Sequence, residues 1–312
     1  MRSTPLLLLL PALVAGCSGP DFTPISRLDK TRVLALRAEP VNLRPGDATT
    51  LDLLVYAPPG SSNAITYTWS WCPVLGSAAD GYTCPFTDAD VQALATQLGA
   101  SEPPPALVFS HDAAPAFKNV FPAQSLRAVC DNGFGDFKPD CENGYPVRVK
   151  VTVENGSESV VATAIVRLPT DVSVASNLNP SIAGIDAMLE GQARSIDDSA
   201  QVELPRLVNT TVRARIDAAQ SESFMGFDRD NQPAVVKERL VLSWYSEQGD
   251  LESTQTAYVD GLSDFERLLE NKLKPLTKDD DPADTARVVV VLRDNRGGVS
   301  WTTGVVKLGA LP

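Results

Sequence analysis

His111 is the only histidine in the chain, and that bounds the catalytic chemistry. A two-histidine zinc site is excluded, and a serine or cysteine nucleophile has a single candidate base. No Gly-x-Ser-x-Gly elbow occurs, and Arg296-Gly297-Gly298 joins two strand-like segments instead of opening a helix as a phosphate or dinucleotide cradle does. His111 follows Val108-Phe109-Ser110, a short strand-like run, and is read as a surface or loop residue with no catalytic role. Among 39 acidic residues, sequence does not single out a glycosidase-type carboxylate pair, because separation in space is the informative quantity.

Oxygen-rich segments are the remaining candidates, since calcium takes six to eight oxygen ligands. Asp131, Asn132, Asp136 and Asp140 stand in a glycine-containing loop between Cys130 and Cys141. Asp228-Arg229-Asp230-Asn231, and Asp279-Asp280-Asp281 with Asp284, form two further clusters. None has EF-hand spacing, and solvated turns account for such residues. Asp131, Asp136 and Asp140 are retained as the calcium candidates, and no other cofactor is expected. Tyr67, Trp69 and Trp71 alternate on one strand and so share a face, which is either an aromatic platform for sugar or peptide or, preferably, core. Trp301 is expected at the surface.

The first residues decide location. Met1 and Arg2 give a positive start, Leu6 to Leu10 with Pro11, Ala12, Leu13 and Val14 an apolar stretch, and Ala15 and Gly16 a small-residue end. That is the layout of a secretory signal, and the stretch is about half of the ~20 residues a bilayer crossing needs. Val14-Ala15-Gly16-Cys17 resembles the lipobox of bacterial lipoproteins. The resemblance covers 17 residues and implies cleavage before Cys17, a diacylglycerol on its thiol and an acyl chain such as palmitate on its amine. Three chains exceed the two signals that suffice for stable anchoring. Ser18 resembles an outer-membrane residue more than an inner-membrane retention aspartate.

With Cys17 lipidated, four cysteines remain, Cys72, Cys84, Cys130 and Cys141, an even number in a chain exported to an oxidising compartment. Two disulfides are expected. Zinc is the alternative, but neither CxxC nor a Cys-His pair occurs. Local pairing, Cys72 with Cys84 and Cys130 with Cys141, is preferred among the three possibilities. A net charge of −12, more negative once Arg2 leaves, opposes binding to nucleic acid or an anionic lipid surface. A hydrophobic share of 43% and a charged share of 21% suit globular domains, and the roughly 295 residues left after cleavage suit two of them.

Residues 17–29 read as a lipidated tether. Short segments at 32–38, 49–56, 65–71, 146–153 and 159–168 are rich in β-branched and aromatic residues and end in turn residues. Val147, Val149, Val151 and Val153 alternate with polar residues and Asn155-Gly156 follows, which predicts a hairpin. The second half repeats the plan at 182–188, 208–218, 239–246, 287–293 and 299–308. In each half a tryptophan-bearing strand precedes a helical stretch, at 88–98 and 264–274, and a joint falls at 169–180.

Short strands, a tryptophan in a middle strand and a terminal hairpin resemble the immunoglobulin-like sandwich. The expected fold is all-β: two tandem immunoglobulin-like antiparallel β-sandwiches at 30–169 and 177–312, each with a short helical insertion, after the signal peptide 1–16. The Cys…Trp…Cys spacing of antibody domains is missing. If strand order follows that sandwich, Cys72 and Cys141 approach one pole, which makes a Cys72–Cys141 bridge a rival pairing. The leading function is a non-enzymatic, lipid-anchored envelope lipoprotein, placed at the outer membrane, serving as spacer and interaction module for an envelope protein or polysaccharide. A calcium-dependent or carbohydrate-binding surface protein and a carboxylate-dependent hydrolase are the alternatives.

Overall fold

The computed structural model describes residues 24–60, 64–74, 79, 81–133, 138–156, 158–173, 177–227, 230, 232–275 and 283–310. In the first sandwich, β1 (Arg32–Glu39), β2 (Ala48–Tyr56) and β5 (Ala116–Lys118) form one sheet in the order β1-β2-β5. β3 (Thr66–Cys72), β4 (Val108–Ser110), β6 (Tyr145–Asn155) and β7 (Glu158–Leu168) form the other, in the order β4-β3-β6-β7. Val147, Val149, Val151 and Val153 on β6 are all buried, so the alternation along that strand is the alternation between core and water.

The second sandwich contains β8 (Gly184–Leu189), β9 (Gln192–Ile196), β10 (Glu203–Leu204), β11 (Thr210–Arg215), β14 (Leu240–Ser246), β15 (Asp250–Leu251), β16 (Gln255–Tyr258), β17 (Glu270–Lys274), β18 (Thr285–Asp294) and β19 (Val299–Leu308). Its sheets run β15-β17-β11-β8-β9 and β10-β19-β18-β14-β16. A separate two-stranded ribbon, β12 (Ser223–Phe227) with β13 (Pro233–Lys237), stands beside them. The series β1-β2-β5 with β7-β6-β3-β4 recurs as β8-β11-β17 with β19-β18-β14-β16. That is the strand order of an immunoglobulin-like sandwich, and the protein is an all-β chain carrying it twice.

Each sandwich closes on tryptophan. Trp69 and Trp71 of β3 and Trp244 of β14 are fully buried, and every indole N–H finds an acceptor, as buried tryptophan requires. Trp69 donates to Asp112 O at 2.8 Å and Trp71 to Pro105 O and Ala106 O at 3.1 Å, so these two side chains fasten the insertion between β3 and β6 to the core. Tyr67 is half-buried against the same core. The strand is therefore core, not an aromatic platform.

Two helices occupy the insertion. α1 (Asp88–Gln97) starts at Thr87, whose hydroxyl accepts from Asp90 N–H while the Asp90 carboxylate accepts from Thr87 N–H, a reciprocal cap worth ~1 kcal/mol. α2 (Ala123–Asn132) starts at Pro122 with no side-chain cap, and the sequence reading took its end for loop. The predicted helix at 264–274 is a correction of a second kind. Only α3 (Phe265–Leu269) is helical, and Glu270–Lys274 is β17, paired with β11. After one turn the burial period changes from helical to two, with Asn271 and Leu273 inward and Glu270, Lys272 and Lys274 outward.

Candidate interaction surface

Cys17 and Asp136 lie outside the described residues. The disulfides are Cys72–Cys84 and Cys130–Cys141. The rival Cys72–Cys141 bridge is not formed, although β3 and β6 do run antiparallel and bring Cys72 opposite Arg148. The two bridges staple the start of the insertion to β3 and the end of α2 to the entry of β6.

Asp131 belongs to the last turn of α2, which corrects its placement in a loop. The backbone N–H of Glu142 donates to the Asp140 carboxylate at 3.2 Å, and the Arg167 guanidinium lies 3.7 Å from it. Asp228, Asn231 and Asp279 to Asp281 lie outside the described residues. Among the described residues no three His, Cys, Asp or Glu side chains gather as a metal site would need. His111 is exposed at the end of β4, its Nδ1 3.1 Å from Tyr67 O and 3.3 Å from Thr68 Oγ1.

Open space in the first sandwich divides by kind. Beneath α1 and α2, Trp71, Phe86, Leu94, Phe121 and Leu126 line a gap of ≈ 20 Å³, room for about one water and so a packing defect instead of a ligand pocket. Along the seam between β1 and β7 run two grooves of ≈ 330 Å³ and ≈ 710 Å³. The larger is bounded by Ile25, Lys30 and Arg32 against Glu158 and Val161.

The largest feature that sequence reading missed is the junction of the two sandwiches. β18 buries both faces. Val288, Val290 and Leu292 enter the second core, whereas Val289 and Val291 join Leu28, Leu34, Ala35, Tyr56 and Val299 in a separate apolar cluster. Polar contacts frame it. Arg293 donates to Leu34 O at 2.6 Å, Asn179 donates to Ala38 O at 2.9 Å and accepts from Val299 N–H at 2.8 Å, and Asn177 N–H donates to Asn42 Oδ1 at 2.7 Å. The Arg37 guanidinium stacks 4.5 Å over Trp301, a cation–π contact, so Trp301 is half-buried at the junction and not a free surface residue. Burial, with the charge of Glu247 second, drives the Tyr56 hydroxyl pKa well above the ordinary phenol range.

The N-terminal segment docks at the same place. Leu28 N–H donates to Ser246 O and Ser246 N–H to Ser26 O, both at 2.9 Å, and Leu28 and Ser26 are buried. The tether expected over 17–29 is therefore interrupted at Ser26. Residues 26–28 instead add a bridge to the end of β14. The signal was present, because 288–292 is an unbroken apolar run where β6 alternates, and a strand buried on both faces reads that way.

A second apolar surface is the ribbon. Met225, Phe227 and Val235 are 68%, 51% and 70% exposed, and the pairing of Met225 with Val235 and Phe227 with Pro233 puts all four side chains on one face. The ribbon's base is held by Arg296, which stacks 4.8 Å over Phe224 and donates to Glu238 at 3.1 Å. Glu238 is 1% exposed. Burial, with the nearby Asp294 charge second, pushes its pKa up to about 7 against the pull of Arg296.

No family model matches the chain, and no curated protein matches it. Solved structures to which it is similar include the three N-terminal domains of the bacteriophage RB49 highly immunogenic outer capsid protein, at 11% identity over 89% of this chain and 59% of that one, TM-score 0.20. A chimeric titin Z1Z2 matches at 14% identity over 90% and 97%, TM-score 0.20. The Yersinia pseudotuberculosis adhesin InvE matches at 9% over 88% and 58%, TM-score 0.19. Likeness at this level carries no functional argument, and the fold assignment rests on the strand order above.

Proposed function

We propose that the protein is a lipid-anchored envelope lipoprotein, non-enzymatic, whose paired sandwiches act as spacer and interaction module for another envelope protein or a polysaccharide. The observation that carries this reading is the docking of residues 26–28 at the junction. The chain leading from Cys17 is fastened where both sandwiches meet, so a lipid on Cys17 would hold the pair as one body instead of dangling one domain behind another. Eight residues lie between Cys17 and Ser26, a reach of at most about 30 Å when extended, which would keep the junction close to the bilayer surface. The lipobox order of residues supports the anchor, and the seam grooves and the apolar face of the ribbon support the interaction role.

The test is fractionation of cells expressing the protein or Cys17→Ser. The reading expects the parent in the detergent-extracted membrane fraction and the variant unlipidated and washed free of it or retained as uncleaved precursor. Equal release of both by a salt wash would sink the anchor.

A further inference from the structure

A cleft of ≈ 170 Å³ opens where the ribbon meets one end of the first sandwich, lined by Asn42, Glu142, Asn143 and Thr170 from the sandwich and by Phe224 and Met225 from the ribbon. Both walls are held from behind. The turn that carries Glu142 and Asn143 follows directly on the Cys130–Cys141 bridge. Gly144 N–H closes that turn onto Cys141 O at 3.0 Å, and the Arg167 guanidinium donates to Asp140 O at 2.7 Å and to Gly144 O at 3.2 Å. Gly144, at φ +101°, lets the turn lie against the end of β7, where a Cβ would stand 2.7 Å from Leu168 O. On the other wall, Arg296 stacks on Phe224 and is itself fixed by Glu238 and by donation of its backbone N–H to the Asp294 carboxylate at 2.7 Å.

The polar heads on this frame are left unengaged. Asn42 is 9% exposed; its Oδ1 accepts from Asn177 N–H, and its Nδ2 meets no acceptor among the described residues. Polar groups buried to that degree ordinarily have their hydrogen bonds made, so Asn42 keeps a donor for what enters the cleft. The Glu142 carboxylate, the Asn143 amide and the Thr170 hydroxyl likewise make no side-chain hydrogen bond or ion pair among the described residues. Charge and size narrow the ligand. Glu142 and Asp171 line the cleft against one guanidinium, Arg296, which is already paired with Glu238, so an anion is repelled. The volume equals that of about six waters, the bulk of a single pyranose ring and too little for a peptide of several residues. Such a ring presents hydroxyls at its rim and C–H groups on its faces. The amides, hydroxyl and carboxylate offer donors and acceptors for neighbouring hydroxyls, and Phe224 and Met225 offer apolar contact.

We propose that this cleft binds one uncharged sugar residue of an envelope polysaccharide, with Asn42, Glu142, Asn143 and Thr170 taking its hydroxyls and Phe224 with Met225 taking an apolar face. The backbone on both walls is fixed before the ligand arrives, so little ordering is needed on binding. The proposal deepens the interaction-module reading by choosing a polysaccharide over a protein, and it rests on that reading for the source of the glycan. Binding is read out without the lipid, so the two fail separately.

The test is an amide-resolved magnetic resonance titration of the mature chain carrying Cys17→Ser, with the methyl glycosides of glucose, galactose, mannose and N-acetylglucosamine as probes. Saturable shifts of the Asn42 and Asn143 side-chain amides are expected with at least one of the four, at millimolar concentration for a contact this small. Asn143→Ala and Met225→Ala should each weaken that glycoside by about three- to tenfold, with the melting temperature nearly unchanged. The corresponding uronic acid should bind at least about tenfold more weakly than its neutral parent, and Glu142→Gln, a change at an exposed side chain, should narrow that gap. No saturable shift with any of the four at about 100 mM, or unchanged affinity in either alanine variant that folds, would overturn the site. A uronic acid bound as tightly as its neutral parent would overturn the uncharged class.

Discussion

Leu28→Ala distinguishes a docked segment from a tether. The side chain is 3% exposed within the junction cluster, and leucine-to-alanine changes in packed sites cost ~2–5 kcal/mol. The lower part of that range applies, because residues 24–31 form no extended ladder and can move inward to fill the space, so about 2–3 kcal/mol is expected. Neither sandwich core contains Leu28. The loss therefore falls on the seating of the segment and of the sandwiches on each other. Urea unfolding followed by tryptophan emission reads it, with Trp301→Phe identifying the phase that reports the junction. That phase should move to lower urea while the phases of Trp69, Trp71 and Trp244 stay within experimental scatter. A cycle with Val291→Ala should show coupling of roughly 0.5–3 kcal/mol, as for residues sharing a packed site. A tether would lose under about 0.5 kcal/mol, the usual surface effect, and that result would refute the docking of residues 26–28.

Three further outcomes follow from the packing. Glu238 titrates higher when folded, at about 7 against 4.5, so the folded state holds this proton more tightly. Its contribution to stability is complete below about pH 4.5 and is lost as pH rises through 7; melting temperatures between pH 5 and 8 should show that fall, and Glu238→Gln should flatten it. Each disulfide closes a span of 12 or 11 residues, so replacing either pair by alanine should cost ~3 kcal/mol in the first sandwich, measured by urea unfolding, and leave the Trp244 phase in place. A Cβ on Gly304 would stand 2.9 Å from Ile196 O and 2.7 Å from its Cγ2; Gly304→Ala should therefore destabilise the second sandwich by roughly 1–3 kcal/mol in thermal unfolding, and an unchanged melting temperature would show that β9 does not pack against β19.

The strands were legible where one face is wet. β6 declares itself through four valines alternating with polar residues, and Asn155-Gly156 marks its turn, because register and turn chemistry are local. β19 and the tryptophan strands were equally plain. What escaped was set by tertiary contact. β17 begins as the continuation of a helical pattern and becomes a strand because β11 is there to pair with it. α2 lacks a side-chain cap and hid among the cysteines. The junction was written in the doubly apolar run of β18, whose meaning depends on knowing what covers its second face. The acidic groupings illustrate a general limit of proximity along the chain: among 39 acidic residues, nearness in sequence says little about convergence in space.

Intact mass spectrometry of the protein isolated from its native membrane, before and after reduction, tests the central claim most directly. The account predicts a chain beginning at Cys17 with the added mass of a diacylglycerol and an amide-linked acyl group, rising by about four daltons when both disulfides are reduced. A chain of unmodified mass, or one that begins elsewhere and is recovered without detergent, would contradict it.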